Sequence, residues 1–241
     1  MGLFKRLHSR SAATAASPEQ VSAPQGIPVR TTQLSIRITP EFQTALDHLQ
    51  AGRNLFLTGK AGTGKSTLIR HYLDSTSRRT ITVAPTGIAA LNVDGYTIHR
   101  LFSFPPGVSE EFVRSANYRP QQFAKVLSSL DTLVIDEVSM VRADLFDALI
   151  AALERFGPHP GTPMGGVQLV LVGDLYQLPP VVTDSETRRI EERYGTPFFF
   201  SAHSFDPAIF PVVELGVPPG PHRRDLRQWT AVRSTFAMYK P

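Results

Sequence analysis

Gly59-Lys60-Ala61-Gly62-Thr63-Gly64-Lys65-Ser66-Thr67 fits the pattern G-x-x-x-x-G-K-[ST], and the chemistry of that pattern is the grip on a triphosphate. Gly59, Gly62 and Gly64 free the backbone so that successive N–H groups, including those of Ala61, Thr63 and Thr67, can converge on phosphate oxygens. A helix starting near Lys65 adds its positive end to that field. Lys65 is then the candidate for the β and γ phosphates of ATP, and the Ser66 hydroxyl is the candidate for Mg²⁺.

Magnesium-dependent hydrolysis needs a carboxylate site as well, and Asp131-Thr-Leu-Val-Ile-Asp136-Glu137 supplies one. Its apolar run reads as a strand buried on both faces, ending in two acids at the carboxyl edge where doubly wound sheets bind ligands. Asp136 is the candidate for the Mg²⁺ shell. Glu137 is the candidate general base that orients the attacking water.

These groups need elements to hold them. Asn54–Thr58 reads as a short buried strand ahead of the glycine-rich loop, and 68–73 as a helix behind it. Pro40 to Gly52 reads as a helix with Phe42, Ala45, Leu46 and Leu49 on one face and Gly52 as its stop. Thr80–Ala84 is a strand that runs through Pro85 into a second helix ending near Leu91. Arg142 to Phe156 is an amphipathic helix with Leu145, Phe146, Leu149, Ile150, Leu153 and Phe156 inward. Val167–Val172 is again a buried strand, followed by Gly173-Asp174, and 212–215 is the last. Strands alternating with helices predict an α/β domain, a parallel sheet with helices on both sides.

At 241 residues the chain holds one such domain plus tails. It has no cysteine, which excludes disulfides, thiolate metal sites and cysteine nucleophiles. Its apolar runs are only strand length, so no membrane span is expected. The net charge of +4 suggests nucleic acid, but residues 216–241 carry five of the 25 basic residues and one of the 21 acids, leaving twenty of each elsewhere. Global charge is therefore no argument for DNA binding. Residues 1–33, rich in Ser, Ala, Pro and Gln, read as a disordered tail. A solvated tail fits this arginine-bearing leader better than a mitochondrial presequence; it has no secretory h-region, and Arg6 argues against myristoylation of Gly2.

The motifs together resemble a known family. GKAGTGKST, then APTGIAALNVDGYTIHRLF at 84–102, DEVSM at 136–140, GGVQLVLVGDLYQLPPV at 165–181 and FFFSAHSFD at 198–206 follow one another as in Pif-type DNA helicases, the RecD-like branch of superfamily 1. The resemblance covers about 34–215 and implies a RecA-like P-loop NTPase domain, the first lobe of an ATP-driven 5′ to 3′ motor. It implies that Pro85, Thr86, Gly87 and Ala89 lie along single-stranded DNA, with Asn92, Thr97 and His99 continuing the path. Threonine hydroxyls and N–H groups at a helix start suit phosphates of any sequence. Taken alone, Pro85-Thr86-Gly87 reads as a turn and a helix cap. Gln177 resembles the residue that senses the γ phosphate; its amide can donate to a phosphate oxygen and accept from water. The resemblance further implies a monomer, located in the cytoplasm of a bacterium, or in the nucleus or a mitochondrion if the source is eukaryotic.

Two departures stand out. The family carries a glutamine that recognises adenine where this chain has Phe42, with Gln43 one step off. After Leu215 the family continues into V-F-R-Q, whose arginine completes the ATP site, and then into a second motor domain; here Gly216-Val-Pro-Pro follows, and that domain is expected to be missing. Residues 216–241 read as an aberrant tail. Synonymous codons for 216–227, read from the second base, spell V-F-R-Q-A-H-T-D-E-T-F, so a frameshift near residue 216 is expected. Sequencing the coding DNA tests this: an uninterrupted frame across the junction would contradict it.

An arginine finger is worth about 10³ to 10⁵ in rate, so slow hydrolysis and no unwinding are expected of this chain alone. A non-catalytic nucleotide- or DNA-binding remnant is the alternative. A small-molecule kinase would leave DEVSM and GDLYQLPPV without a role.

Overall fold

The computed structural model describes residues 38–216. The expectations for 1–33 and for the tail beyond Gly216 lie outside the described residues. In chain order the elements are α1 (Pro40–Gln50), β1 (Leu55–Thr58), α2 (Lys65–Ser75), β2 (Thr80–Ala84), α3 (Gly87–Asn92), β3 (Tyr96–Thr97), α4 (Ile98–Phe102), α5 (Glu110–Arg114) and α6 (Ala124–Leu127). They continue with β4 (Thr132–Ile135), α7 (Ala143–Phe156), β5 (Gln168–Val172), α8 (Asp184–Tyr194) and β6 (Val212–Glu214).

Six parallel strands form one sheet in the order β3-β2-β4-β5-β1-β6. A strand covered on both faces must be apolar in every position, and β1, β4 and β5 are, apart from Thr58, Thr132 and Gln168. Their side chains alternate between two cores. Phe56, Leu133, Ile135, Leu169 and Leu171 pack with α4, α7 and the phenylalanines of 198–205. Leu55, Leu57, Val134, Val170 and Val172 pack against α1 and α2. This is the expected parallel sheet with helices on both sides.

Local chemistry sets the boundaries. Thr39 caps α1, its hydroxyl accepting from the Phe42 N–H at 3.3 Å, and Pro40 opens the helix. Phe42, Ala45, Leu46 and Leu49 are its buried face, as their spacing predicts. The seventh helix starts one residue later than expected, at Ala143, because Arg142 has extended backbone and sits at the cap. Leu145 and Phe156, expected inward, are only partly buried at the core margin.

The eighth helix is absent from the sequence reading. Ile190 is its one buried residue, so it has no apolar stripe to reveal it. A capping box between Thr183 and Glu186 starts it. Ion pairs then dock it: Arg142 to Glu186 at 2.8 Å, Arg189 to the buried Asp144 at 3.2 Å, and Arg193 to Glu111 at 2.6 Å. Among the described residues, no helix is long and apolar enough to cross a membrane.

Candidate active site

The strand order brings the two sequence-predicted motifs to one edge. The glycine-rich loop leaves the carboxyl end of β1, and Asp136-Glu137 leaves that of β4, with β5 between them. Two strand spacings put about 9–10 Å between those strand ends.

The loop is built for close approach to its own protein on one side and openness on the other. Gly59 has φ +140, and a Cβ there would stand 2.7 Å from the Leu215 carbonyl oxygen. Gly62 and Gly64, at φ +79 and +99, face open space. Gly64 also caps α2 in the left-handed region, so the first turn of that helix has no side-chain cap, and Ser66 and Thr67 are exposed on it. The Lys65 ammonium donates to the carbonyls of Gly59 at 2.5 Å and Lys60 at 3.1 Å. An open glycine-rich loop, a cation that donates to two main-chain carbonyls, and an exposed serine fit a Mg-triphosphate.

Across β5, Asp136 and Glu137 are partly buried. Burial pushes the Asp136 carboxyl above its ordinary range, opposed by the Glu137 N–H and by the charge of Lys65. Glu137 is raised first by burial, then by the negative charge of Asp136; Lys65 opposes this and Asp174 adds to it. The field of Lys65 therefore reaches both acids. Glu137 also has φ +50, a left-handed conformation that costs free energy for a residue with a side chain and recurs at functional sites. No group of three or more His, Cys, Asp or Glu side chains able to hold a metal occurs among the described residues. One carboxylate plus a hydroxyl is what Mg²⁺ needs from a protein when phosphates complete its shell.

Gln177 is exposed on the loop after β5, where its N–H donates to the Asp174 carbonyl at 3.1 Å. Asp174 is buried, and its carboxylate accepts the Tyr176 N–H at 3.0 Å. Sequence reasoning noted Gly173-Asp174 without giving Asp174 a role; its place at the carboxyl end of a buried strand was the available signal.

Of the residues expected along DNA, those that directly follow β2 and close β3 share the same edge. Parallel pairing of Ala84 with Thr97 sets Pro85-Thr86-Gly87 beside the start of α4. Thr86 caps α3 by accepting the Ala89 N–H at 3.2 Å, and Thr97 caps α4 by accepting the Arg100 N–H at 3.2 Å. The turn-and-cap reading of Pro85-Thr86-Gly87 is thus correct for Thr86, Thr97 caps its own helix in the same way, and each hydroxyl keeps its proton to donate. Half-buried His99 stands edge-on to Phe104, and burial lowers its pKa. Asn92 stands apart at the far end of α3, about 7–8 Å along the axis from Gly87. Ile88 and Leu91, which the sequence did not single out, are 78% and 82% exposed at i, i+3 on that helix.

The family model described as PIF1-like helicase matches residues 38–193, about two thirds of the chain. The chain belongs to the PIF1-like helicase family. It is 36% identical over 174 residues to the ATP-dependent DNA helicase PIF1 of Danio rerio, covering 71% of this chain and 27% of that protein. The same identity holds over 152 residues for ATP-dependent DNA helicase Pif1 of Psychrobacter sp. (strain PRwf-1), covering 61% of this chain and 23% of that one. The chain thus spans about a quarter of the length of these curated relatives. Bacteroides Pif1 bound to ssDNA aligns with a TM-score of 0.68 at 38% identity, over 75% of this chain and 42% of that chain. A structure of Bacteroides sp Pif1 in complex with ADP-AlF4 aligns with the same TM-score, identity and coverage.

Within the PIF1-like frame, the departure at residue 42 has a structural basis. Phe42 is buried between α1 and α2, tilted on His71 with ring centroids 6.2 Å apart. Gln43 is exposed, and its Nε2 donates to Asp47 at 2.8 Å. Residue 42 therefore offers a base no hydrogen bond, and the Gln43 amide is engaged along its own helix.

Proposed function

We propose that this chain is the nucleotide-binding lobe of an ATP-dependent 5′ to 3′ DNA helicase and couples ATP hydrolysis to movement along single-stranded DNA. The observation that carries this reading is the meeting, at one edge of the sheet, of the open glycine-rich loop with Lys65 after β1 and the acid-tipped end of β4, with β5 between them.

In this reading the loop N–H groups from Gly59 to Thr67 and the Lys65 ammonium bind the phosphates, while Ser66 and Asp136 hold Mg²⁺. The metal, when bound, neutralises charge on the phosphate oxygens. Glu137 orients water and takes its proton, which suits a carboxylate whose proton affinity burial and Asp136 raise, with Lys65 opposing them. Gln177 contacts the terminal phosphate. Phosphate contacts dominate affinity, since residue 42 does not select the base.

Thr86 and Thr97 hold DNA phosphates through hydroxyls that already order two helix starts. Pairing of β2 with β4 supports coupling: the Asp136 N–H donates to the Val83 carbonyl at 2.8 Å, two residues before Pro85. The unit is a monomer.

ATP hydrolysis measured with and without oligothymidylate tests this. Turnover should rise with the oligonucleotide and fall to background in Lys65→Ala and Glu137→Gln. Retained nucleotide binding without turnover in either condition would favour a non-catalytic remnant instead.

A further inference from the structure

Ser139 is 1% exposed, and its Oγ has no hydrogen-bond partner among the described residues. Burying a hydroxyl unpaired costs free energy, so such a group calls for a reason. Its position narrows the reason. Ser139 lies in the turn Val138–Met140 directly after Glu137, which reaches that turn in its left-handed conformation. The turn packs on the end of β5: a Cβ on Gly173 would stand 3.1 Å from Val138 Cγ1 and 3.2 Å from both the Ser139 and Val138 nitrogens. Beyond Gly173 comes the loop whose Asp174 carbonyl and carboxylate accept the N–H groups of Gln177 and Tyr176. Ser139 therefore lies where the segment that carries the candidate base packs, through its main chain, on the start of the segment that carries the candidate phosphate sensor.

We propose that Ser139 is a positioning residue: its hydroxyl donates to the 174–177 loop when that loop closes on the terminal phosphate, and so locks the Glu137 turn and Gln177 into one arrangement. The inference rests on the nucleotide-hydrolysing reading above. It explains why an unpaired hydroxyl is kept in this contact, where alanine would fill the same space without the desolvation cost. The partner becomes available only in the closed arrangement, so the bond favours that arrangement over the open one.

The test compares binding of Mg-ADP and of Mg-ADP with aluminium fluoride, a mimic of the transferring phosphate, to the whole chain. Ser139→Ala should raise the melting temperature of the free chain, leave ADP affinity within twofold, and weaken the aluminium fluoride complex about tenfold. Ser139→Thr, which keeps the hydroxyl, should retain the preference if it folds. Gln177→Ala should show a similar loss, and the double variant no further loss, because the two groups act as one unit. An alanine variant that binds the aluminium fluoride complex like the wild type, or losses that add in the double variant, overturns the proposal for Ser139 alone. A wild-type chain that binds neither ligand removes the nucleotide reading and this one with it.

Discussion

The two ends of the same parallel sheet are built on opposite rules. At the amino end the side chains of Thr132, Gln168 and Asn54 are all hydrogen-bonded. The Thr132 hydroxyl donates to Gln168 Oε1 at 2.8 Å and accepts from Arg78 Nε at 3.1 Å. Gln168 Nε2 donates in turn to the carbonyls of Arg53 at 2.7 Å and Leu49 at 3.3 Å, and Asn54 Oδ1 accepts the Leu169 N–H at 2.8 Å. The carboxyl end of β1, β4 and β5 carries left-handed backbone at Gly59, Gly62, Gly64 and Glu137, two carboxyls raised by burial, and an unpartnered Ser139 hydroxyl. One end holds the strands together. The other keeps groups in costly states, which is how folds pre-organise chemistry.

That contrast can be broken by substitution. The largest effect is expected from Glu137→Gln at the carboxyl end: a loss of about 10² to 10⁴ in turnover, with nucleotide binding retained, as single-turnover assays would read. Gln168→Leu at the amino end should do the reverse. It leaves the Thr132 hydroxyl without its acceptor and removes the Gln168 donor from the Arg53 carbonyl, while the Leu49 carbonyl still accepts the Gly52 N–H, costing about 1–3 kcal/mol in denaturant unfolding with turnover per folded molecule unchanged. Thr86→Ala removes a helix cap, costs about 1 kcal/mol, and should reduce stimulation by single-stranded DNA; Thr86→Ser should keep both.

The smallest effects concern pH. Because burial raises Glu137 above the 4.5 of an ordinary glutamate, turnover should fall on the acid side at a higher pH than an exposed carboxylate would give. A group whose folded pKa is raised contributes stability only while protonated, and that contribution is lost as pH rises through the folded pKa. At neutral pH the ionised Glu137 is therefore a net cost. Glu137→Gln should raise the melting temperature slightly at pH 7 while it lowers turnover, and the gain should vanish below pH 4.5.

The same contrast explains what was legible in the sequence. Thr80–Ala84 is a strand residue for residue, and the strands before the loop and the acids fall within a residue of their expected ends, because continuous apolar runs announce strands covered on both faces. Glycine spacing and an acid-tipped strand are local patterns, so the motifs carrying Lys65, Ser66, Asp136 and Glu137 as candidates could be picked out before the strand order that brings them to one edge was known. The edge strand Tyr96–Thr97 is too short to show a period of two, and α8 docks through Arg142, Asp144 and Glu111 rather than through an apolar stripe. The influence of Asp174 on Glu137 and the unpaired state of Ser139 arise from burial by distant segments, which no local pattern encodes.

The central claim is that Lys65, opposite Asp136 and Glu137, grips a triphosphate. Calorimetric titration of the chain with Mg-ATP, alongside Lys65→Ala, tests it most directly. Saturable binding with a dissociation constant below about 1 mM, abolished in the variant, is the predicted result. No heat at millimolar nucleotide, or the same isotherm for both proteins, would contradict it.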